Sequence, residues 1–216
     1  MRRRLLLAGV AAWPAVVRAD GAALVAAAEG GDLATLRQLL DAGTAVDARD
    51  ARRRTALLAA THANRVDAAR LLIEHGADVD AKDELQDSPF LYAGAEGRLE
   101  ILRLTLAAGA DLKSTNRYGG TALIPAAHHG HVETVRELLK TRIDIDHVNR
   151  LGWTALLEAI ILGDGGAAHT EIVRLLVAHR AKLQLADAQG VTPLAHAQAR
   201  GWRSIVEILR RAGARP

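Results

Sequence analysis

Apolar residues along most of the chain recur at spacings of three and four positions, the period that places them on one face of an α-helix. Residues 66–73 carry such a stripe, and Gly76 follows it as a residue that readily ends a helix. Residues 55–60 form another short apolar segment, which begins at Thr55, a hydroxyl residue suited to capping a helix N-terminus. The pattern predicts a pair of short helices joined by a turn.

This pair is repeated along the chain with a period of 33 residues. The helix-starting hydroxyl recurs at Thr55, Ser88, Thr121, Thr154 and Thr192, with spacings of 33, 33, 33 and 38. An alanine recurs at Ala27, Ala60, Ala93, Ala126, Ala159 and Ala197, which predicts close packing of neighbouring helices. One insertion of five residues, within residues 164–168, accounts for the longer interval. The period predicts six units, at about 20–49, 50–82, 83–115, 116–148, 149–186 and 187–216.

We call a set of equivalent positions, one in each unit, a column. Two further columns concern the turns between helices. Asn64 occupies a position that the other units fill with Gly31, Gly97, Gly130, Gly163 and Gly201, which predicts a left-handed backbone there. In a second column of glycines, two units carry Arg142 and Arg180 instead. Either these arginines adopt a left-handed conformation at a cost of about 1–2 kcal/mol each, or the turn is reshaped.

The unit resembles the ankyrin repeat. Residues 192–195, Thr-Pro-Leu-Ala, and residues 76–80, Gly-Ala-Asp-Val-Asp, are similar to the helix start and the finish of that family's unit. The resemblance covers about residues 22–214 and is closest to bacterial members of the family. It implies an all-α solenoid of about six helix-turn-helix units joined by β-hairpin-like fingers. It also implies a protein-binding module whose fingers and first helices line a concave face.

The first nineteen residues have the anatomy of a secretory signal peptide. Arg2–Arg4 precede the apolar run of residues 5–17, which is too short to span a membrane as a helix. Small residues before Asp20 predict cleavage at that point. We therefore expect a bacterial protein that is periplasmic or secreted, with no membrane span after signal removal. The general secretory and twin-arginine routes both remain open.

Removal of this leader changes the meaning of the charge. The full chain carries 28 Lys and Arg against 25 Asp and Glu, but four of these basic residues and no acid lie in residues 1–19. The remaining chain has 24 basic and 25 acidic residues, a net charge of −1. This balance disfavours nucleic acid as a partner. The chain has no Cys, which excludes disulfides and thiolate chemistry.

The resemblance places candidate partner-binding residues on the concave face of units two, four and five. Tyr, Trp and Arg with exposed aliphatic side chains are the residue types that dominate binding energy at interfaces. The candidates are Arg52, Arg54, Arg117, Tyr118, His128, His129, Arg150, Leu151, Trp153, Ile161 and Leu162. The basic N-terminal fingers and the apolar C-terminal ones favour a partner with an acidic edge and an apolar anchor.

Other clusters are interpreted as structural. The histidines at 128, 129 and 131, together with His169 and Asp164, suggest a metal site, but hydrogen bonding to the backbone is the favoured interpretation. The glycine-rich segment 163–166 lacks the residues of a phosphate-binding loop and is interpreted as a flexible bulge. We find no catalytic motif and expect neither a catalytic residue nor a cofactor.

The sequence therefore predicts an exported, monomeric adaptor or scaffold that binds a protein and is not an enzyme. The alternative is an immunity or inhibitor protein that uses the same surface to neutralise a toxic enzyme. A metal-dependent enzyme ranks below both.

Overall fold

The computed structural model describes residues 21–215, so the predicted signal peptide lies outside the described residues. The described part contains twelve α-helices, arranged as six successive pairs. They are α1 (Gly21–Gly30), α2 (Leu33–Asp41), α3 (Ala56–His62), α4 (Val66–Glu74), α5 (Pro89–Ala95), α6 (Leu99–Ala107), α7 (Leu123–His128), α8 (Val132–Leu139), α9 (Ala155–Ile161), α10 (Ala167–Ala178), α11 (Pro193–Ala199) and α12 (Arg203–Arg211).

The helices form two layers. The first helix of each pair contacts the first helix of the next pair, from α1 through to α11, and the second helices α2 to α12 stack in the same way. Within residues 21–215 the only β pairing outside helices is an isolated bridge between Arg49 and Thr55 in the first finger. The prediction of an all-α solenoid is confirmed.

The alanine column lies in the core between the helices. Its five members from unit two onward have no exposed surface, and Ala27 in the first unit is nearly buried. The same crowding is visible at Gly94 of α5, where an added Cβ would lie 2.7 Å from the Cβ of Ala122. Small side chains therefore set the spacing between the first helices of neighbouring units, which form the inner layer, as the sequence predicts.

The helix-starting hydroxyls cap four of the five helices that they precede. Thr55, Ser88, Thr154 and Thr192 each accept a hydrogen bond from the backbone N–H three residues later. Thr121 is the exception, because α7 begins one residue late, with Ala122 at its N-cap. The Thr121 hydroxyl is buried and makes no hydrogen bond within residues 21–215.

The predicted left-handed turn positions hold with one correction. Asn64 has a φ of 53°, in line with the positive φ of its glycine counterparts. At the insertion, however, the left-handed residue is Gly165, with a φ of 70°, and not Gly163. The extra residues move the turn, so the column prediction was wrong at this one position.

The two arginines that replace glycine differ in backbone conformation. Arg180 keeps the left-handed conformation, with a φ of 64°, whereas Arg142 does not have a positive φ. At Arg142 the turn is reshaped by Thr141, whose hydroxyl donates to the Leu138 carbonyl at 2.6 Å and accepts from the Ile143 N–H at 3.1 Å. Both alternatives drawn from the sequence thus occur, one in each unit.

The insertion lengthens a helix and packs against the last unit. Helix α10 has 12 residues, whereas its counterpart α8 has 8. Gly165 lies so close to Trp202 that an added Cβ would be 2.6 Å from the indole ring. Arg200 donates to the Ile161 carbonyl at 2.6 Å, just before the insertion. The segment therefore packs against unit six, and the flexibility expected from its glycines stays a prediction.

Candidate functional site

Each of the five fingers takes its shape from one Asp or Asn side chain. The Oδ1 atom of Asn116 accepts hydrogen bonds from the N–H groups of Tyr118 and Gly120, at 2.9 and 3.0 Å. The Oδ1 atom of Asn149 likewise accepts from Leu151 and Trp153, at 2.9 and 3.0 Å. Asp50, Asp83 and Asp187 make the same pair of bonds in their fingers. This is the Asx turn, in which a short side chain replaces backbone partners.

The finger residue two positions after this Asx projects into solvent. In units three, four and five it is apolar: Leu85, Tyr118 and Leu151 are 54%, 51% and 48% exposed. They recur at the 33-residue period, so adjacent fingers present them side by side. Large apolar side chains arranged in this way on a protein surface are typical of an interaction site.

A groove with a volume of about 530 Å³ lies between these fingers and the first helices of units three to five. Seven of the eleven predicted site residues line it: Arg117, Tyr118, His128, His129, Leu151, Trp153 and Leu162. Further lining residues are Asp87, Tyr92, Ala95, Glu96, Asn116, Gly120, Ile124, Pro125, Asn149 and Glu158. The structure therefore brings most of the predicted residues of units four and five into one concave site.

The other four predicted residues do not line this groove. Arg54 is paired with Asp50, with Nε to Oδ2 at 2.8 Å, and with Glu29 at 3.3 Å. Arg150 donates to the Arg117 carbonyl at 2.9 Å and so links two fingers. Arg52 is exposed on the finger of unit two, and Ile161 is half-buried in α9.

Glu158 of α9 forms part of the floor of the groove and is only 6% exposed. Its Oε1 atom accepts a hydrogen bond of 2.8 Å from the side-chain amide of Asn149, and its Oε2 atom lies 3.8 Å from Nδ1 of His128. Burial raises the pKa of Glu158 above the usual range for glutamate, and the Asn149 hydrogen bond offsets this only in part. The floor thus holds a carboxyl group that is costly to ionise.

Two other acids, Asp87 and Glu96, line the groove. Asp87 is 3.6 Å from a guanidinium nitrogen of Arg117. Burial nevertheless raises the pKa of Asp87, because desolvation outweighs this neighbouring cation. Glu96 is half-buried and has no ion pair with any residue from 21 to 215.

The histidines make contacts within and between units. Nδ1 of His129 bonds to the Ala95 carbonyl at 2.7 Å, and the ring of His128 stacks at an angle on that of His129. Burial lowers the pKa of His128, and the neighbouring His129 and His169 lower it further. His169 is buried and bonds through Nδ1 to Asp164 Oδ1 and through Nε2 to the His128 carbonyl, both at 2.7 Å.

These bonds bear on the two interpretations of the histidine cluster. Both ring nitrogens of His169 are engaged with protein atoms, which is the structural role favoured from the sequence. Within the described range, no group of three His, Asp or Glu side chains is placed to hold a metal ion. Nor does any helix in that range have the length and apolar character needed to cross a membrane.

Comparison with known proteins settles the family. The model of ankyrin repeats matches three times, at residues 4–83, 23–116 and 90–168, which together span more than half of the chain. The chain belongs to the ankyrin repeat family. Among curated proteins it is 47% identical over 57 residues to the putative ankyrin repeat protein YahD of Escherichia coli K12. That match spans 26% of this chain and 28% of YahD.

Solved ankyrin structures match over most of the chain. An ankyrin repeat domain from Acinetobacter baumannii AYE is 58% identical, with a TM-score of 0.87, over 89% of this chain and 98% of that one. The ankyrin repeat protein EF0377 is 40% identical, with a TM-score of 0.85 and the same coverage. The ankyrin repeat domain of Bcl-3, a member of the IkappaB family, is 29% identical, with a TM-score of 0.80, over 89% and 86% of the two chains.

Sequence reasoning missed two features of this ankyrin groove. The Asx residues at 50, 83, 116, 149 and 187 follow the same 33 and 38 spacing as the caps, and that spacing would have identified them. Glu158 was not selected either. Its signal is a single charge within the apolar helix Ala155–Ile161, at a position where units two to four carry Ala59, Tyr92 and Pro125.

Proposed function

We propose that this protein is an exported ankyrin-repeat adaptor that binds a partner protein through the groove of units three to five. Ankyrin repeats form protein-interaction modules that generally lack catalysis, and this chain is proposed to follow that rule. The observation that carries the proposal is the row of exposed Leu85, Tyr118 and Leu151 above a concave surface. Apolar and aromatic side chains held on rigid turns lose little entropy on binding, so they make effective anchors.

Export is the second part of the proposal, and it is supported by the leader described from the sequence. The protein would then act in the periplasm or outside a bacterial cell. Mass analysis of the chain made in a secreting bacterial host is expected to show an N-terminus at Asp20. Recovery of a cytoplasmic product that keeps Met1 to Ala19 would refute export without touching the binding proposal.

The binding proposal is tested by comparing the unchanged protein with two variants in affinity capture from the native compartment, followed by mass spectrometry. The double variant Tyr118→Ala, Trp153→Ala is expected to capture less of the partner, because its binding free energy should weaken by about 2 kcal/mol or more. Both side chains line the groove. Arg70→Ala on the exposed face of α4 is the control and should leave capture unchanged. Circular dichroism separates loss of binding from loss of fold.

The outcomes also separate the alternatives. A captured toxic enzyme whose activity the protein abolishes would favour the inhibitor function over the adaptor function. Capture that follows only the folded fraction of each variant would show that Tyr118 and Trp153 act as packing residues, and it would overturn the assignment of this surface.

A further inference from the structure

The groove floor contains a carboxylate oxygen that the protein itself leaves without a partner. Glu158 is buried, and Oε1 is bonded to Asn149, but Oε2 makes no hydrogen bond to any residue between 21 and 215. It lies 3.8 Å from Nδ1 of His128, beyond hydrogen-bond distance. The protein does not fully enclose Oε2. Because Glu158 lines the groove, this oxygen is accessible from the groove.

A buried carboxylate in this state costs the fold free energy. Desolvation disfavours an ionised group unless charged or hydrogen-bonding partners replace the water that it loses. The shape of the finger loop does not depend on Glu158, because Asn149 Oδ1 holds that loop. The Asn149 amide that links the finger to Glu158 occupies only one carboxyl oxygen, Oε1. The carboxylate is therefore better suited to a group that arrives from outside than to the structure of the unit.

The charges around the groove favour a cation. Three carboxyl groups line it, from Asp87, Glu96 and Glu158, against one arginine, Arg117, which is already paired with Asp87. Burial lowers the pKa of His128, which keeps that ring neutral near pH 7. His129 also lines the groove and acts electrostatically on Glu158, and its Nδ1 bonds to the Ala95 carbonyl. Neither Glu96 nor Glu158 forms an ion pair with a lysine or arginine among the described residues, so the groove is electrostatically complementary to a basic ligand.

The walls suit the long stem of a basic side chain. Tyr118, Trp153 and Leu162 line the groove together with Ile124 and Pro125. Lysine and arginine bury their aliphatic stems on apolar surface and place their charged ends on the faces of aromatic rings or on acids. A groove with apolar walls and an acidic floor matches both parts of such a side chain.

We propose that the groove binds a partner segment through a lysine or arginine whose charged group reaches Glu158, with neighbouring apolar residues packed on Tyr118, Leu151 and Trp153. This rests on the proposed binding function and specifies the chemistry of the partner. It differs from the acidic edge that the basic fingers suggested. Arg54 of those fingers is neutralised by Asp50 and Glu29, and the groove lies further along the solenoid.

The test begins with a random peptide library displayed on phage and selected on the purified protein. Parallel selections use Glu158→Gln, which keeps an oxygen for Asn149, and Glu74→Gln at the exposed end of α4 as the matched control. We expect lysine or arginine next to apolar residues to be enriched on the unchanged protein and on Glu74→Gln, and the enrichment to be lost on Glu158→Gln.

Affinities are then measured by calorimetry for the best peptide and for its neutral analogue, with citrulline in place of arginine or norleucine in place of lysine. Losing one member of a buried charge pair is expected to weaken binding by about tenfold or more. The analogue and Glu158→Gln should each cause this loss, and combining them should add little, because both remove the same contact. The analogue arm does not depend on the folding of any protein variant.

The inference can be overturned in the following ways. Selection of peptides that contain no lysine or arginine would show that Glu158 does not recognise a cation. The same conclusion would follow if Glu158→Gln weakened the binding of the cationic peptide and of its neutral analogue equally. A dimer in sedimentation that Glu158→Gln dissociates would place a second copy of the chain in the groove. Peptide binding that requires Tyr118 and Trp153 but no cation would refute this inference alone, whereas the absence of any binding that requires these two residues would refute the proposed function as well.

Discussion

The side-chain amide of Asn149 donates a hydrogen bond of 2.8 Å to Oε1 of Glu158, and it thereby ties the finger of unit five to the floor of the groove. The sixth unit contains an equivalent link, since Nε2 of His196 lies 2.7 Å from Oδ2 of Asp187. In both units the residue that shapes the finger also contacts the first helix nine positions later. The position of the finger relative to the groove is therefore fixed by side chains as well as by the backbone.

The first prediction concerns the stability cost of Glu158. Its pKa is raised in the folded state, so the penalty is absent below the usual glutamate pKa of about 4.3 and grows as the pH rises through the folded-state value. Glu158→Gln is expected to raise the free energy of unfolding at pH 7, on the order of 1 kcal/mol, because it removes a buried charge. Urea unfolding at several pH values should show this gain shrinking as the pH falls.

The titratable groups beside this carboxyl are His128, at 3.8 Å, and His129. Glu74→Gln serves as the control, because Glu74 is exposed at the end of α4 and its replacement should leave the free energy of unfolding nearly unchanged. A Glu158→Gln variant that is less stable than the unchanged protein at pH 7 would mean that the carboxylate stabilises the fold.

The second prediction uses the two arginines in the glycine column. Arg180→Gly is expected to stabilise the protein by about 1 kcal/mol, because Arg180 has a φ of 64° and glycine removes the strain of that conformation. Arg142→Gly is expected to destabilise it by about 0.5–1 kcal/mol, because φ is not positive there and glycine only adds freedom to the unfolded chain. Thermal and urea unfolding of both variants should show opposite signs, and equal signs would contradict the assignment of the two turns.

Much of the fold followed from the period alone, because a column reports one structural position six times. The alanine and glycine columns predicted buried contacts and left-handed turns, and the structure confirms them at Ala126 and Asn64. The errors lie where neighbours act locally. Gly163 does not have the predicted left-handed conformation, because the inserted residues move the turn to Gly165. Thr121 does not cap a helix, because α7 starts at Leu123.

The site was harder to predict than the fold, for a related physical reason. Residue type pointed to Tyr118 and Trp153, and both line the groove. Glu158 could not be recognised by type, because a glutamate in a helix is ordinarily solvated. Its burial depends on α7, which packs on α9 from the preceding unit. The burial of Glu158 arises from contacts between units, and a column of equivalent positions does not show such contacts.

The third prediction tests the close packing of the inner layer. Gly94→Ala is expected to destabilise the protein by about 1–3 kcal/mol, because the added Cβ would lie 2.7 Å from the Cβ of Ala122 and force α5 and α7 apart. Gly30→Ala is the matched control, because a Cβ at the end of α1 would have no atom within 4 Å. Differential scanning calorimetry should show a lower melting temperature for Gly94→Ala alone, and a loss shared by both variants would count against packing as the cause.

The fourth prediction concerns the histidines. Elemental analysis of protein purified without an affinity tag is expected to show no stoichiometric zinc, nickel or copper. The reason is that both ring nitrogens of His169 are hydrogen-bonded, one to Asp164 and the other to the His128 carbonyl. One ion per chain that disappears when His128 and His131 are changed together would reverse this assignment. The reference protein for that comparison is His75→Ala, whose ring lies at the far end of α4.

The Asx turns separate what builds a finger from what the finger displays. Asn116 and Asn149 hold the path of the chain through backbone N–H groups, whatever side chains those residues carry. Tyr118 and Leu151 can therefore be exchanged for other residues while the loop geometry is kept. Under the proposed function, a change of target is expected to need only a few substitutions at the fingertips, made one finger at a time.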